Sequence, residues 1–154
     1  MSLEENKAIV RKFFEAVNKR NLAVIDELIA PDYVDNTLQR RGLENLKKFL
    51  RFLFKTFPDW YVNIANIIAE GDKVWIRVKY TATHTGEWRG SLPLIPKRNY
   101  VLPPTGKKIT FTGVHIYHVV HGKVVERESV YDVLDFYKQL GVIEYKGFPD
   151  ENAT

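Results

Sequence analysis

The chain contains no cysteine. Disulfides and thiolate chemistry, whether nucleophilic or metal-binding, are therefore excluded, and a reducing compartment is compatible but not required. No apolar run approaches the length that crosses a bilayer. The N-terminus lacks the apolar core of a secretory signal, which makes an intracellular, cytoplasmic protein the expectation. Internal repeats, low-complexity tracts and linker-like stretches are also missing. Charge of one sign is scarce: the formal net charge is +4, too mild to imply a polyanion partner. Lys47, Arg51 and Lys55 recur at helical spacing behind Arg40-Arg41. They read as a solvated helix face, because the aromatic residues around them look like core rather than a stacking platform. Nucleic acid is not an expected partner.

What is present suits one domain. The 154 residues are 45% hydrophobic and 13% aromatic, enough for a sizeable core. Ser2 to Asn18 carries Ile9, Val10, Phe13, Phe14 and Val17 at helical spacing, with Glu4 and Glu5 in the first turn. Asn21 can cap a short helix, Leu22–Ile29, that stops before Pro31. Tyr33-Val34-Asp35 is brief and extended. After Gly42, Leu46, Phe49, Leu50, Leu53 and Phe57 build a third amphipathic helix that ends before Pro58.

From Trp60 the period changes to two. Trp60–Ala69 and Lys73–Thr85 read as strands about Gly71-Asp72. In the second, Val74, Ile76, Val78, Tyr80, Ala82 and His84 share the buried face, and Trp75 lies on the other. Arg89–Pro104 interrupts the pattern: Pro93, Pro96, Pro103 and Pro104 forbid a central strand or helix. Its apolar residues, Leu92, Leu94, Ile95, Tyr100, Val101 and Leu102, require something to pack on, such as a pocket mouth or a partner subunit. Ile109–Val120, the turn His121-Gly122-Lys123 and Val124–Tyr131 form a hairpin that leads to a closing helix ending at Gly141. The tail 144–154 is polar and expected to be loose. Three helices, about four long strands and a last helix make an α+β domain, with a mostly antiparallel sheet wrapped on the N-terminal helices.

The hairpin turn decides which side chains share a face. A three-residue loop with Gly122 left-handed, the expected form, places His115 opposite Arg127 and Gly113 opposite Ser129. A two-residue loop places His115 opposite Glu128 instead. In the first register Glu126 and Glu128 face away from the interior; in the second Glu128 becomes an inward carboxylate.

The order E-x-x-x-x-V-R-x-F-F-E-A-V-N, A-P-D-Y-V, G-D-K-V-W-I-R, T-H-T-G-E-W, P-P-T-G-K-K, G-V-H-I-Y and Q-L-G resembles the SnoaL-like polyketide cyclases of the nuclear transport factor 2-like superfamily, over about residues 4 to 143. The resemblance implies a cone-shaped α+β fold with a curved sheet and helices enclosing an apolar pocket, in which homodimers are common. It also implies an intramolecular aldol closure without metal or organic cofactor, in which an acid on the last strand works beside a histidine on its neighbour. The histidine position falls on His115, the acid position on Ser129, and a second position, often histidine, on Arg127. The fold transfers; the reaction does not transfer automatically, because the acid is missing.

Several residues thus become candidates for chemistry. His115 interrupts a buried face with Phe111, Gly113, Tyr117 and Val119, and imidazole is the side chain suited to proton transfer near neutral pH. The plainer reading is a core histidine with one hydrogen bond. His84 ends its strand facing the core, where it either meets a ligand carbonyl or bonds a nearby loop. Two histidines without a third ligand at a recognisable spacing do not make a metal site. Ser129 can donate or accept a hydrogen bond but is no base on its own. Arg127 can stabilise an enolate or bind a carboxylate; its plainer role is a surface ion pair. Tyr33 and Asp35 are candidates for orienting a water or substrate oxygen, Tyr80, Trp88 and Tyr100 for a pocket wall or lid, and Tyr117 for ligand contact. Asp132 reads as the cap of the last helix rather than a base.

Three functions follow: an enzyme that moves protons on a small apolar carbonyl-bearing substrate, a binding module using the same pocket, and, least favoured, a structural or nucleic-acid role through the basic helix face. A homodimer through the outer sheet face, where Trp75 lies outside the core, is a further expectation.

Overall fold

A computed structural model describes residues 1–90, 100–144 and 146–147. Four helices lie against a six-stranded, mostly antiparallel curved sheet, and the sheet is not closed. Helix α1, Leu3–Asn18, starts at a reciprocal cap: Ser2 Oγ accepts from Glu5 N–H, and Glu5 accepts from Ser2 N–H. Helix α2, Leu22–Leu28, is capped by Asn21. The chain is already extended at Ile29, where β1, Ile29–Asp35, begins. The predicted short extended segment is the second half of that strand. A two-residue β2, Arg40–Arg41, and helix α3, Leu43–Thr56, follow. On α3 the basic face is partly spoken for, since Lys47 pairs with Asp26 and Glu44. None of the helices among the described residues is long and apolar enough to cross a membrane.

The long strands are β3 (Tyr61–Glu70), β4 (Lys73–Thr83), then β7 (Lys108–Val120) and β8 (Lys123–Tyr131), within two residues of their predicted bounds. The spatial order is β2-β1-β8-β7-β4-β3. Only the β1–β8 pair is parallel, and it brings Asp35 beside Arg127. The alternation of β4 is as predicted: Val74, Ile76, Val78, Tyr80 and Ala82 are buried, and Trp75 is not. Helix α4, Val133–Leu140, is capped by Asp132, which accepts from Asp135 N–H.

The interrupted segment after Thr83 differs from expectation at its ends. Trp88–Gly90 (β5) and Tyr100–Leu102 (β6) pair antiparallel as a separate two-stranded ribbon. Proline bars a strand from the middle of a sheet, not from a short edge ribbon with no third neighbour. Leu92, Pro93, Leu94, Ile95 and Pro96 lie outside the described residues, as does most of the tail expected to be loose.

The hairpin register needs correction. The turn is the two-residue form, His121-Gly122 between paired Val120 and Lys123, with positive φ at both turn residues (48° and 79°). Such a turn matches the right-handed twist of the strands. The ladder does not continue in that register. Val119 pairs with Val124 but His118 with Glu126, so Val125 bulges without a partner on β7. Beyond the bulge His115 lies opposite Ser129, Tyr117 opposite Arg127 and Gly113 opposite Tyr131. Neither predicted pairing occurs. The predicted facing survives nonetheless, because the true register differs from the expected one by two residues, which preserves the parity of a strand.

Candidate functional site

The core is crowded with rings. Tyr80 stacks on Phe111 at 4.8 Å between centroids, Trp60 leans on Tyr80 at 5.0 Å, and Phe111 meets Phe136 at 4.8 Å. Between these rings, α1 and α3 lies an apolar hollow of about 100 Å³. Phe13, Phe14, Leu50, Phe57, Trp88 and Tyr137 are among its walls. Tyr80 and Tyr131 bring phenols to the wall, and Arg127 is the only charged side chain among the described lining residues.

Behind this wall stands the imidazole. His115 is fully buried and does not line the hollow. Its Nε2 is hydrogen-bonded to the Tyr80 hydroxyl, and its Nδ1 lies 2.6 Å from Ser129 Oγ. A line of three polar side chains thus runs from β8 through β7 to β4 and reaches the hollow at Tyr80. Burial, helped by the Arg127 charge, holds the His115 pKa well below the ordinary imidazole value. The ring is neutral near pH 7, with one nitrogen donating and the other accepting. Burial also lifts the Tyr80 pKa well above the usual phenol value, with the Tyr131 and Tyr117 phenols adding to it. Tyr80 is therefore a neutral hydroxyl.

A second polar group sits on the parallel pair. Arg127 Nη2 donates to Asp35 Oδ2, while Asp35 Oδ1 accepts from Thr37 N–H at 3.1 Å and Leu38 N–H at 3.0 Å. Both partners are buried. The ion pair is internal, where a plain surface pair was the duller reading. Burial opposes the Arg127 charge, but Tyr131, Tyr33, Tyr117 and Asp35 outweigh it and hold its pKa well above the ordinary value. Thr37 Oγ1 donates to the Ser129 carbonyl at 3.0 Å and accepts from Ser129 N–H at 2.7 Å, which fixes the β8 backbone beside His115.

The structure therefore brings His115, Ser129 and Tyr80 into one line, and Arg127 and Asp35 into another. Tyr33 is buried near Arg127 and Asp35 and is kept protonated chiefly by that burial. Tyr117 is buried with no hydrogen bond to its hydroxyl among the described residues. Neither Tyr33, Tyr117 nor Asp35 lines the hollow; Trp88 does. His84 stands apart. Its Nδ1 accepts from Thr105 N–H at 3.2 Å and meets Thr105 Oγ1 at 2.9 Å, so the ring holds the loop before β7. Burial lowers its pKa as well. Glu128 is exposed, and Glu126 turns outward to Asn36 and His118.

Sequence reasoning missed Tyr131 as a wall residue and Thr37 as the support of Ser129. Tyr131 shares strand parity with Arg127 and Ser129, a signal that was available. For Thr37 there was none, since it acts through the parallel contact of β1 with β8.

A curved sheet with helices laid around an apolar hollow, into whose wall a few polar side chains reach, is a cone-shaped α+β fold. The chain belongs to the SnoaL-like polyketide cyclase family, whose model matches residues 8–140. It is similar to the aklanonic acid methyl ester cyclase AcmA of Streptomyces galilaeus, 26% identical over 145 residues covering 90% of this chain and 92% of that one. Among solved structures it resembles AclR, a candidate hydroxylase of Streptomyces galilaeus, at 28% identity and a TM-score of 0.76, covering 93% of this chain and 100% of that one. It also resembles IdmH, a candidate polyketide cyclase of Streptomyces antibioticus, at 26% identity and a TM-score of 0.69, covering 88% of this chain and 98% of that one.

Proposed function

We propose that the chain catalyses proton transfer on an apolar, carbonyl-bearing small molecule held in the hollow, leading to an aldol-type ring closure or an isomerisation. The observation that carries this reading is the hydrogen-bonded line Ser129–His115–Tyr80, which ends at Tyr80, a residue of the hollow's wall. The cyclase named as a relative adds weight, since its reaction is a ring closure on an ester substrate.

The chemistry follows from which nitrogen carries the imidazole proton. With the proton on Nδ1, His115 donates to Ser129 Oγ and accepts the Tyr80 O–H on Nε2. As Tyr80 oxygen takes a proton from the carbon beside a substrate carbonyl, its own proton passes to Nε2. An imidazolium and an enolate result, and the Arg127 charge in the wall favours the enolate. Attack of the enolate carbon on a second carbonyl makes the new C–C bond and an alkoxide. The proton then returns through Tyr80 to that oxygen, so no proton is gained or lost overall. Ser129 replaces the family's carboxylate in position only: it fixes the imidazole orientation and is not itself the base.

The test is deuterium uptake at the α-carbon of α-tetralone in D₂O, followed by proton NMR. The protein is expected to accelerate it, and Tyr80→Phe or His115→Gln to slow it by about a hundredfold or more, with circular dichroism showing that each variant is folded. The depressed basicity of His115 favours a second reading, a binding module without chemistry. A ligand that raises the melting temperature while its α-protons stay unexchanged would establish that reading and remove the first.

A further inference from the structure

Asp35 has a cationic neighbour on either side in the sheet. In the β1–β2 pairing it lies opposite Arg40, and in the β1–β8 pairing it lies beside Arg127. One carboxylate thus serves a row of two guanidinium groups. Its oxygens are already committed, Oδ1 to the backbone N–H of Thr37 and Leu38 and Oδ2 to Arg127. Arg40 is left with a buried Nη1 that has no partner among the described residues, and Arg127 with a buried Nε beyond its Asp35 pair, the Tyr117 phenol lying beside its guanidinium. Arg127 is 7% exposed and lines the hollow. The Arg40 guanidinium carbon lies 3.7 Å over the ring of Phe49, whose ring is part of the same wall.

Two guanidinium groups against one carboxylate leave a net positive charge in this row, with Arg127 facing the apolar chamber and half-buried Arg40 bordering an outer groove beside Gln39 and Arg41. A guanidinium with N–H groups beyond those spent on its ion pair matches a carboxylate in geometry and sign. We propose that the hollow takes a ligand bearing a free carboxylate, received by Arg127 with Arg40 behind it, so that the apolar body of the ligand fills the chamber while its acid completes the row Arg40–Asp35–Arg127. This rests on the hollow being the ligand site, as in the function proposed above, but not on turnover.

The test compares 4-oxo-4-phenylbutanoate with its methyl ester by isothermal titration calorimetry near pH 7. The acid is expected to bind about tenfold tighter or more, as a charge-assisted hydrogen bond to a buried arginine implies. The double variant Asp35→Asn/Arg127→Gln removes both halves of the ion pair and should abolish the preference. Arg40→Gln, which leaves the lining intact, should reduce the preference and serves alone if the double variant does not fold. Equal affinities, a preference for the ester, binding of neither compound, or a preference that survives Arg40→Gln and the double variant would each overturn the proposal. Deuterium uptake by α-tetralone, which has no carboxylate, would in those cases leave the proposed reaction standing.

Discussion

His115 makes two hydrogen bonds and is fully enclosed, and that combination has a thermodynamic consequence. Its pKa is held well below the ordinary imidazole value of 6.5, so below that pH the unfolded chain binds a proton that the folded chain refuses. Stability is then complete above about pH 6.5 and falls as pH drops below it, by up to about 1.4 kcal/mol per pH unit from this residue. His84, lowered by burial in the same direction, adds to the slope. Urea denaturation at pH 7, 6 and 5 should show a falling midpoint, and His115→Gln should flatten part of that fall. A midpoint that rises toward acid would contradict the neutral imidazole. At this scale the sequence was a fair guide to who matters and a poor guide to who touches whom. His115 was visible because it interrupts an apolar face, and Ser129 and Arg127 because they fall on the family positions of the acid and of a second residue, often histidine. That Tyr80 stands between His115 and the hollow was not visible. The two residues are not ladder partners, Tyr80 facing Phe111 and His115 facing Ile76, and only the side chains reach across the diagonal.

Among the elements, helices were legible to within a residue or two because their ends carry chemistry of their own: the Ser2–Glu5 box, the Asn21 cap and the Asp132 cap. Strand registers were not, because a bulge leaves no mark in an alternating apolar run. The parallel contact of β1 with β8, on which Asp35, Thr37 and Arg127 depend, joins segments some ninety residues apart, and no local pattern announces it. One loop motif does have a local explanation. Gly86 N–H donates to Thr56 O at 2.9 Å, and a Cβ built on it would stand 2.1 Å from Lys55 O. The turn after β4 therefore closes against the end of α3 only with glycine. Gly86→Ala should cost about 2 kcal/mol or more, read as a lower urea midpoint, and should loosen the Phe57 and Trp88 wall that packs there at 5.9 Å. An unchanged midpoint would mean that the contact relaxes at no cost.

As a whole molecule, the chain leaves large apolar side chains on the outer sheet face, beside exposed Arg77, Lys79 and Glu128. Trp75 is 46% exposed, Ile68 65% and Val130 74%. Isolated apolar residues on a surface need no explanation, but Trp75 and Ile68 are paired neighbours on β4 and β3. Sedimentation equilibrium at micromolar concentration is expected to give twice the 17.9 kDa chain mass, and Trp75→Glu to return it to the single-chain value. A single-chain mass for the unaltered protein would remove the dimer.

Val125 lines no hollow and has no partner on β7, yet the electrical character of the chamber depends on it. Had the ladder zipped straight from the two-residue turn, Glu126 and Glu128 would stand on the inner side, and Arg127 and Ser129 would look out to water. One residue of slack in a strand thus decides whether the interior wall carries a cation or an acid. In this architecture, a change of host chemistry can come from the spacing of a backbone while every inward-capable side chain stays in the sequence.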